Sequence, residues 1–247
     1  MKENEMIFGI HAVMEAIQAG KEIDKILMKR ELQSDLAKEI SEALKGRDIP
    51  LLRVPQERLN RLTRRNHQGV IAFISVVSYH RLEDVIPQVY EQGKNPFIVL
   101  LDGVTDVRNF GAIARTCECA GADALVIPSR GSVSVNADAI NTSAGALHVL
   151  PVCREKSITQ AIRFLKDSGV KVIASSEKAA DNYTAVAYTG PVAIVMGAED
   201  QGVSAENLRI CDHIVKIPQF GAIGSLNVSV ASSILIYEVV RQRMAAD

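Results

Sequence analysis

Apolar and polar positions follow two textures along the chain. In the first, "GIHAVMEAIQAG" spaces its apolar residues as a helix and stops at Gly20. "IDKILMK" reads as a short strand, and "SDLAKEISEALKG" as a helix that a Ser34/Asp35 cap opens and Gly46 closes. "IPLLRV" predicts a strand, "QERLNRLTRR" a basic helix and "GVIAFISVV" a third strand. Together they make a small α/β/α unit ending near Val77. The Pro-bounded stretch "SYHRLEDVIPQVYEQGKNP", residues 78–96, reads as a linker plus one helix.

From Phe97 the strands change character. "FIVLLDGV" is a continuous apolar run, as expected of a strand buried on both faces of a parallel sheet. Helix and strand patterns then alternate through "NFGAIARTCECAG", "ALVIP", "SITQAIRFLKDSG" and "KVIASS". "PVAIVMG", "HIVKIP" and a terminal helix in "NVSVASSILIYEVVRQRM" complete the series. Residues 97–247 are therefore expected to form an open, mainly parallel α/β sheet with helices on both faces. No internal repeat or low-complexity segment interrupts them.

Composition adds limits rather than chemistry. The 247 residues suit two domains, and 47% hydrophobic content supports a substantial core. No apolar run is long enough to span a bilayer and no signal-peptide pattern opens the chain, so the expected location is cytoplasmic, with no membrane partner. Cys117, Cys119, Cys153 and Cys211 lack the paired spacing of a zinc site; they are expected to be buried thiols, and no metal is implied. The net charge of −1 is unevenly spread. Residues 1–78 hold thirteen Lys/Arg against eleven Asp/Glu, and the remainder fifteen against eighteen. Arg58, Arg61, Arg64 and Arg65 cluster beside His67, either as a solvated helix face or as a phosphate-binding patch.

In parallel α/β sheets, ligands bind beyond the carboxyl ends of the strands. Three polar constellations fall in such places. Asp102 and Asp106 follow one strand, with Asn109 opening a helix that carries Arg115. Gly197, Glu199 and Gly202 follow another strand, and Ser225-Leu226-Asn227 precedes the last helix. Each has a structural reading: Asn109 as a helix N-cap, Glu199 in a solvated turn, Ser225 or Asn227 as a cap after Gly221 and Gly224. Arg115 lies in a run of small and apolar residues, where a buried guanidinium would need a partner. No dinucleotide fingerprint, P-loop or nucleophile elbow is present.

Taken in order, the three constellations resemble the motifs of the SpoU (TrmH-type) RNA ribose 2′-O-methyltransferases of the SPOUT class. Asn109, Gly111 and Arg115 match the first motif, and Gly197, Glu199 and Gly202 the second. Ile217, Pro218, Gly221, Ser225, Leu226, Asn227 and Ala231 match the third. One departure is Val107, where the family often has Pro. Residues 1–77, with "GIHAVMEAI" and "NHQGV", resemble the family's L30e-like RNA-binding domain.

The resemblance implies a SPOUT domain over residues 97–247 closed by a deep trefoil knot. S-adenosyl-L-methionine would be the cofactor, held by main-chain groups near Gly197, Ile217 and Leu226. Arg115, Asn109, Glu199, Ser225 and Asn227 would be the catalytic set, with Arg61, Arg64 and Arg65 on RNA. The implied partners are RNA, ribosomal RNA first, and a second copy of the chain in a homodimer. The implied reaction is 2′-O-methylation of a ribose, that of a guanosine in 23S rRNA. The alternatives are a tRNA ribose methyltransferase, a non-catalytic RNA-binding homologue, and a nucleotide-phosphate enzyme using "GAIGS", which lacks the expected Lys.

Overall fold

The structure, a computed structural model, describes residues 6–32, 35–47 and 49–246. The proposed Ser34 cap lies outside the described residues. Two compact units emerge: the first runs to Ser78 and takes in Ser134–Asn136, and the second comprises Tyr79–Val133 and the residues from Ala137 onward.

The first unit contains β1 (Met6–Phe8), α1 (Ile10–Gln18), β2 (Ile23–Lys29), α2 (Asp35–Ala43), β3 (Leu51–Val54), α3 (Gln56–Leu62) and β4 (Val70–Ile74). They form a four-stranded sheet in the order β1-β4-β2-β3. β2 and β3 are parallel, and β4 is antiparallel to both β2 and β1. Strand alternation sends Ile26, Met28, Val70 and Ala72 toward α1 and α2, while Leu27, Ile71 and Phe73 meet Leu59 of α3. The basic helix is shorter than its pattern: it stops at Leu62, and Arg64 and Arg65 lie in a bend.

The second unit holds β5 (Tyr79–His80), α4 (Leu82–Glu91), β6 (Phe97–Asp102), α5 (Val107–Cys119), β7 (Ala124–Pro128), α6 (Ala137–Thr142) and β8 (Val152–Glu155). It continues with α7 (Ile158–Asp167), β9 (Lys171–Ser175), β10 (Asp181–Asn182), β11 (Val192–Gly197), α8 (Ala205–Ile210), β12 (His213–Lys216) and α9 (Val228–Met244). The eight strands are parallel, in the order β10-β12-β9-β11-β6-β7-β8-β5. The apolar run 97–101 is buried throughout, as a central parallel strand requires. The stretch 78–96, expected as a linker plus one helix, supplies an edge strand and α4, whose Leu82, Val85, Ile86 and Val89 join the second unit's core.

The thiols differ from expectation. Cys117 and Cys153 are buried, but Cys211 is half-buried and Cys119 exposed. Burial pushes the Cys153 and Cys211 thiols up to about 12, and that of Cys117 higher still. None of these three is a thiolate near neutrality.

Candidate active site

β6 and β11 are neighbours in the sheet, but the chain leaves them in opposite directions, β6 toward β7 and β8, β11 toward β9 and β12. A crevice opens at such a switch point, beyond the strands' carboxyl ends. All three polar constellations face it. Gly197 ends β11 directly opposite Asp102 of β6, and α9 begins just after Asn227.

Asp106, and not Asn109, caps α5: its Oδ1 accepts the backbone N–H groups of Arg108 and Asn109, both at 2.9 Å. The Asn109 side chain is thereby free, and Nδ2 donates to Glu199 Oε1 at 3.1 Å. Asn227 does cap its helix, Oδ1 accepting from the Ser229 N–H at 2.9 Å and the Val230 N–H at 3.4 Å. Those donors fix the amide's orientation and turn Nδ2 toward Glu199 Oε1 (2.6 Å) and Asn109 Oδ1 (3.0 Å). Asn109, Glu199 and Asn227, 118 positions apart at the extremes, thus form one hydrogen-bonded triangle. Glu199 Oε1 thus accepts from both amides.

The loop carrying Glu199 is held at both ends. A Cβ on Gly197 would lie 1.9 Å from the Gly202 carbonyl carbon, so no larger residue fits without moving the loop. The Gly202 N–H donates to Ala198 O at 2.8 Å, closing the turn, and Gly202 has φ +67, where glycine is favoured. Beyond the turn, Asp102 Oδ2 accepts from the Ser204 N–H at 2.9 Å and from Asn207 Nδ2 at 2.8 Å. Asn207 is buried and also accepts from Thr159 Oγ1 of α7 at 2.8 Å. The sequence flagged Asp102 but not this anchoring, because its partners lie about a hundred residues away. Asp102→Ala is expected to leave the Asn207 amide unpaired, costing about 1–3 kcal/mol. It should lower the melting temperature and, as the loop loosens, weaken binding of S-adenosylmethionine, the cofactor the sequence resemblance implies, both readable by calorimetry. Cofactor affinity equal to wild type would show that the loop needs no such anchor.

A cavity of about 310 Å3 lies between the segments after β9, β11 and β12. Gly197, Ile217, Gly224, Ser225 and Leu226 line it, with Met196 and Val228 as apolar wall and Ser175–Lys178 as a polar rim. An apolar wall with a few polar groups on its rim is the make-up of a small-molecule site. A second cavity, of about 260 Å3, is lined by Gly103, Thr105, Asp106 and Asn109. Ala198, Glu199, Asp200 and Val228 line both, so Glu199 stands on a shared wall.

Arg115 departs from expectation: it is exposed on α5, with no hydrogen-bond or ion-pair partner among the described residues, and lines neither cavity. α5 turns Phe110, Ile113, Ala114 and Cys117 inward, and the run around Arg115 is small-residued without being buried on every side. Gly111 is where α6 approaches α5, since a Cβ there would lie 2.6 Å from Thr142 Cβ. Ser225 is exposed on the cavity lining and does not cap α9. Arg61, Arg64 and Arg65 are exposed in the first unit, and His67 beside them is buried.

The SpoU rRNA methylase family model matches residues 96–237, which hold the whole triangle and both cavities. The chain belongs to this family. A second model, for RNA 2′-O ribose methyltransferase substrate binding, matches residues 6–80. A TrmH family tRNA/rRNA methyltransferase of Staphylococcus aureus is 36% identical over 241 residues, covering 98% of this chain and 97% of that one. Its namesake in Staphylococcus saprophyticus is 34% identical over the same coverage. Among solved structures, an AdoMet-bound rRNA methyltransferase from Sinorhizobium meliloti superposes with a TM-score of 0.60 at 26% identity, over 96% of this chain and 86% of that one. The A. aeolicus TrmH/SpoU tRNA modifying enzyme has a TM-score of 0.57 at 32% identity, over 67% of this chain and 85% of that one. This SpoU methylase is an RNA 2′-O-methyltransferase. Among the described residues, no helix is long and apolar enough to cross a membrane.

Proposed function

We propose that this methylase modifies the ribose of a guanosine in 23S rRNA, acting as a cytoplasmic homodimer. The Asn109–Glu199–Asn227 triangle, whose Glu199 stands on the wall shared by two cavities, is the observation that carries the site assignment. Full-length likeness to a structure described as an rRNA methyltransferase favours ribosomal RNA, whereas the tRNA modifying enzyme matches over 67% of the chain. The trefoil knot belongs to the same proposal. β12 lies beyond β9 on the side away from β11, yet α9 returns to pack on α5 and β11, as a threaded chain end would. Val230, Tyr237 and Met244 are exposed along one side of α9 and offer an apolar stripe to a second copy.

When bound, S-adenosylmethionine supplies a methyl group already activated on a sulfonium. The residues of the chain have the alcohol to prepare. A ribose 2′-hydroxyl is a poor nucleophile until its proton leaves; that proton passes to solvent water, and a group must stabilise the developing oxyanion. Arg115 takes that role by gripping the adjacent phosphate and lowering the hydroxyl's pKa; a guanidinium holds its proton too tightly to serve cheaply as a base. Asn109, Glu199, Asn227 and Ser225 position the ribose and the loops, while main-chain groups at Gly197, Ile217 and Leu226 hold the adenine end of the cofactor.

The deciding experiment maps 2′-O-methyl groups in RNA from cells with and without the gene, alongside labelled methyl transfer to purified 23S rRNA and tRNA. Loss of one guanosine mark in 23S rRNA is expected. Label in tRNA alone would transfer the assignment to tRNA, and label in neither would leave an RNA-binding homologue.

The cofactor pocket has its own test. Leu226→Ala should cost only ~1–2 kcal/mol of affinity through lost packing. Leu226→Pro should be far worse, because it removes an N–H and distorts the turn. Equal affinities in folded protein would refute main-chain recognition at this position.

A further inference from the structure

Phe220 stands apart from the other phenylalanines of the chain. Phe73, Phe97 and Phe110 are buried, Phe8 and Phe164 are partly buried, and Phe220 is 98% exposed. Ile223, three residues on, is 81% exposed. Both stand at the tip of the segment that joins β12 to α9. The feet of that segment belong to the site. Ile217 and Gln219 on one side, and Gly224, Ser225 and Leu226 on the other, line the 310 Å3 cavity. A ring left in water forgoes the gain of burial, and an exposed apolar tip beside a pocket is the form a binding surface takes.

The composition and bonding of the tip narrow what it can bind. From Ile217 to Tyr237 the chain carries no charged residue, so the tip neither grips a phosphate by an ion pair nor repels one. Among the described residues, those from 217 to 226 make no hydrogen bond, so the segment is fixed by its two ends and its tip can seat against a ligand. A Cβ added at Gly221 or Gly224 would meet nothing within 4 Å. No neighbouring element crowds the ring, and both of its faces are open.

We propose that Phe220 is a positioning residue of this methylase: its ring stacks on the unpaired base of the nucleotide whose ribose is methylated, with Ile223 against the base's edge. The proposal rests on the proposed methyl-transfer site and adds the group that orients the nucleotide in it. The acceptor ribose has to reach the wall where Glu199 stands, and the 260 Å3 cavity there has room for a sugar and not for a paired helix. A nucleotide drawn out in this way loses its stacking neighbours, at an energetic cost. An aromatic side chain replaces the lost stack, and it needs no charge to do so because every base has a π-face. A second copy of the chain would cover a continuous apolar patch. Here Gln219 and Ser225 bound the tip, and Gly221 and Ala222 separate its two large side chains.

The chain has no tryptophan, so Phe220→Trp places a single fluorescent reporter at the tip. Its emission is followed with added RNA, with S-adenosylmethionine alone, and across protein concentration. The RNA is whichever of 23S rRNA and tRNA the wild-type protein methylates. RNA should quench the emission as the indole stacks on a base. No response to RNA, quenching by S-adenosylmethionine alone, or a change with protein concentration alone would each overturn the proposal. In kinetics, Phe220→Ala should raise KM for RNA roughly ten- to a hundredfold, more than it lowers kcat. Its S-adenosylmethionine affinity and melting temperature should match wild type. The lost contact carries no charge, so the salt dependence of RNA binding should keep its wild-type slope. Phe220→Tyr keeps the ring and should recover most of the loss; Phe220→Leu, apolar without a π-face, should not, and equal recovery by leucine would contradict stacking. A wild-type KM in Phe220→Ala overturns this proposal alone. Wild-type protein that methylates neither RNA overturns the proposed function, and the stacking role with it.

Discussion

Arg115→Ala is expected to slow methyl transfer to RNA a hundredfold or more while leaving cofactor binding and melting temperature unchanged. The side chain is exposed, without a partner among the described residues, and absent from the lining of the 310 Å3 cavity. Its removal therefore strains no packing and takes nothing from the cofactor. In the proposed reaction the guanidinium acts on charge that develops at the ribose oxygen and on the neighbouring phosphate. Removing one such contact costs about 3 kcal/mol at the transition state, which converts to a factor above a hundred. Arg115→Lys should fall between, keeping the charge without the planar fork. Single-turnover transfer of labelled methyl and calorimetric titration with S-adenosylmethionine supply the two readouts. Comparable turnover by the alanine variant would remove Arg115 from the catalytic set.

The parts of the fold readable in advance share one property: their pattern is local. β6 and β11 are uninterrupted apolar runs, and α7 repeats its buried residues at Ile158, Ala161, Ile162 and Leu165. β8 is four residues long and ends in Arg154 and Glu155, so neither length nor alternation announces it. Arg154 is buried because its guanidinium stacks 3.8 Å from the centre of the Tyr79 ring, a residue from another strand. The three-residue β1, the two-residue β5, and α6 and α8 at six residues each are likewise too short to show a period.

The site divides along the same line. Residue types and spacing singled out Asn109, Glu199 and Asn227, yet which side chain caps α5 turns on the extended backbone of Asp106, φ −75 and ψ 125. A cap three residues upstream converts Asn109 from a structural residue into a partner of Glu199. Asp102 is readable as a polar residue at a strand end; its hold on the Glu199 loop exists only once Ser204 and Asn207 have folded back onto it.

Asn227→Asp should preserve the last helix and abolish activity at neutral pH. Aspartate is as good an N-cap as asparagine, and one of its oxygens can still accept from the Ser229 and Val230 N–H groups. The other oxygen would take the place of Nδ2, 2.6 Å from Glu199 Oε1 and 3.0 Å from Asn109 Oδ1. Two carboxylates that close resist ionising together, so the pair binds a proton at a pKa raised above that of either group in the unfolded chain. A carboxyl whose folded pKa is raised is least costly at low pH, and its penalty appears as pH rises from the unfolded value through the raised one. The variant should therefore approach wild-type stability near pH 4–5 and lose ground toward pH 8. Solvent screening at this exposed site keeps that loss well below the value for a buried pair. Asn227→Ser keeps a cap and adds no charge, so it should lose activity without the pH-dependent deficit. Thermal melts from pH 4 to pH 8, paired with methyl-transfer rates at pH 8, separate the two variants. An aspartate variant that keeps wild-type rate and a flat stability difference would mean that the Asn227 amide does not hold Glu199.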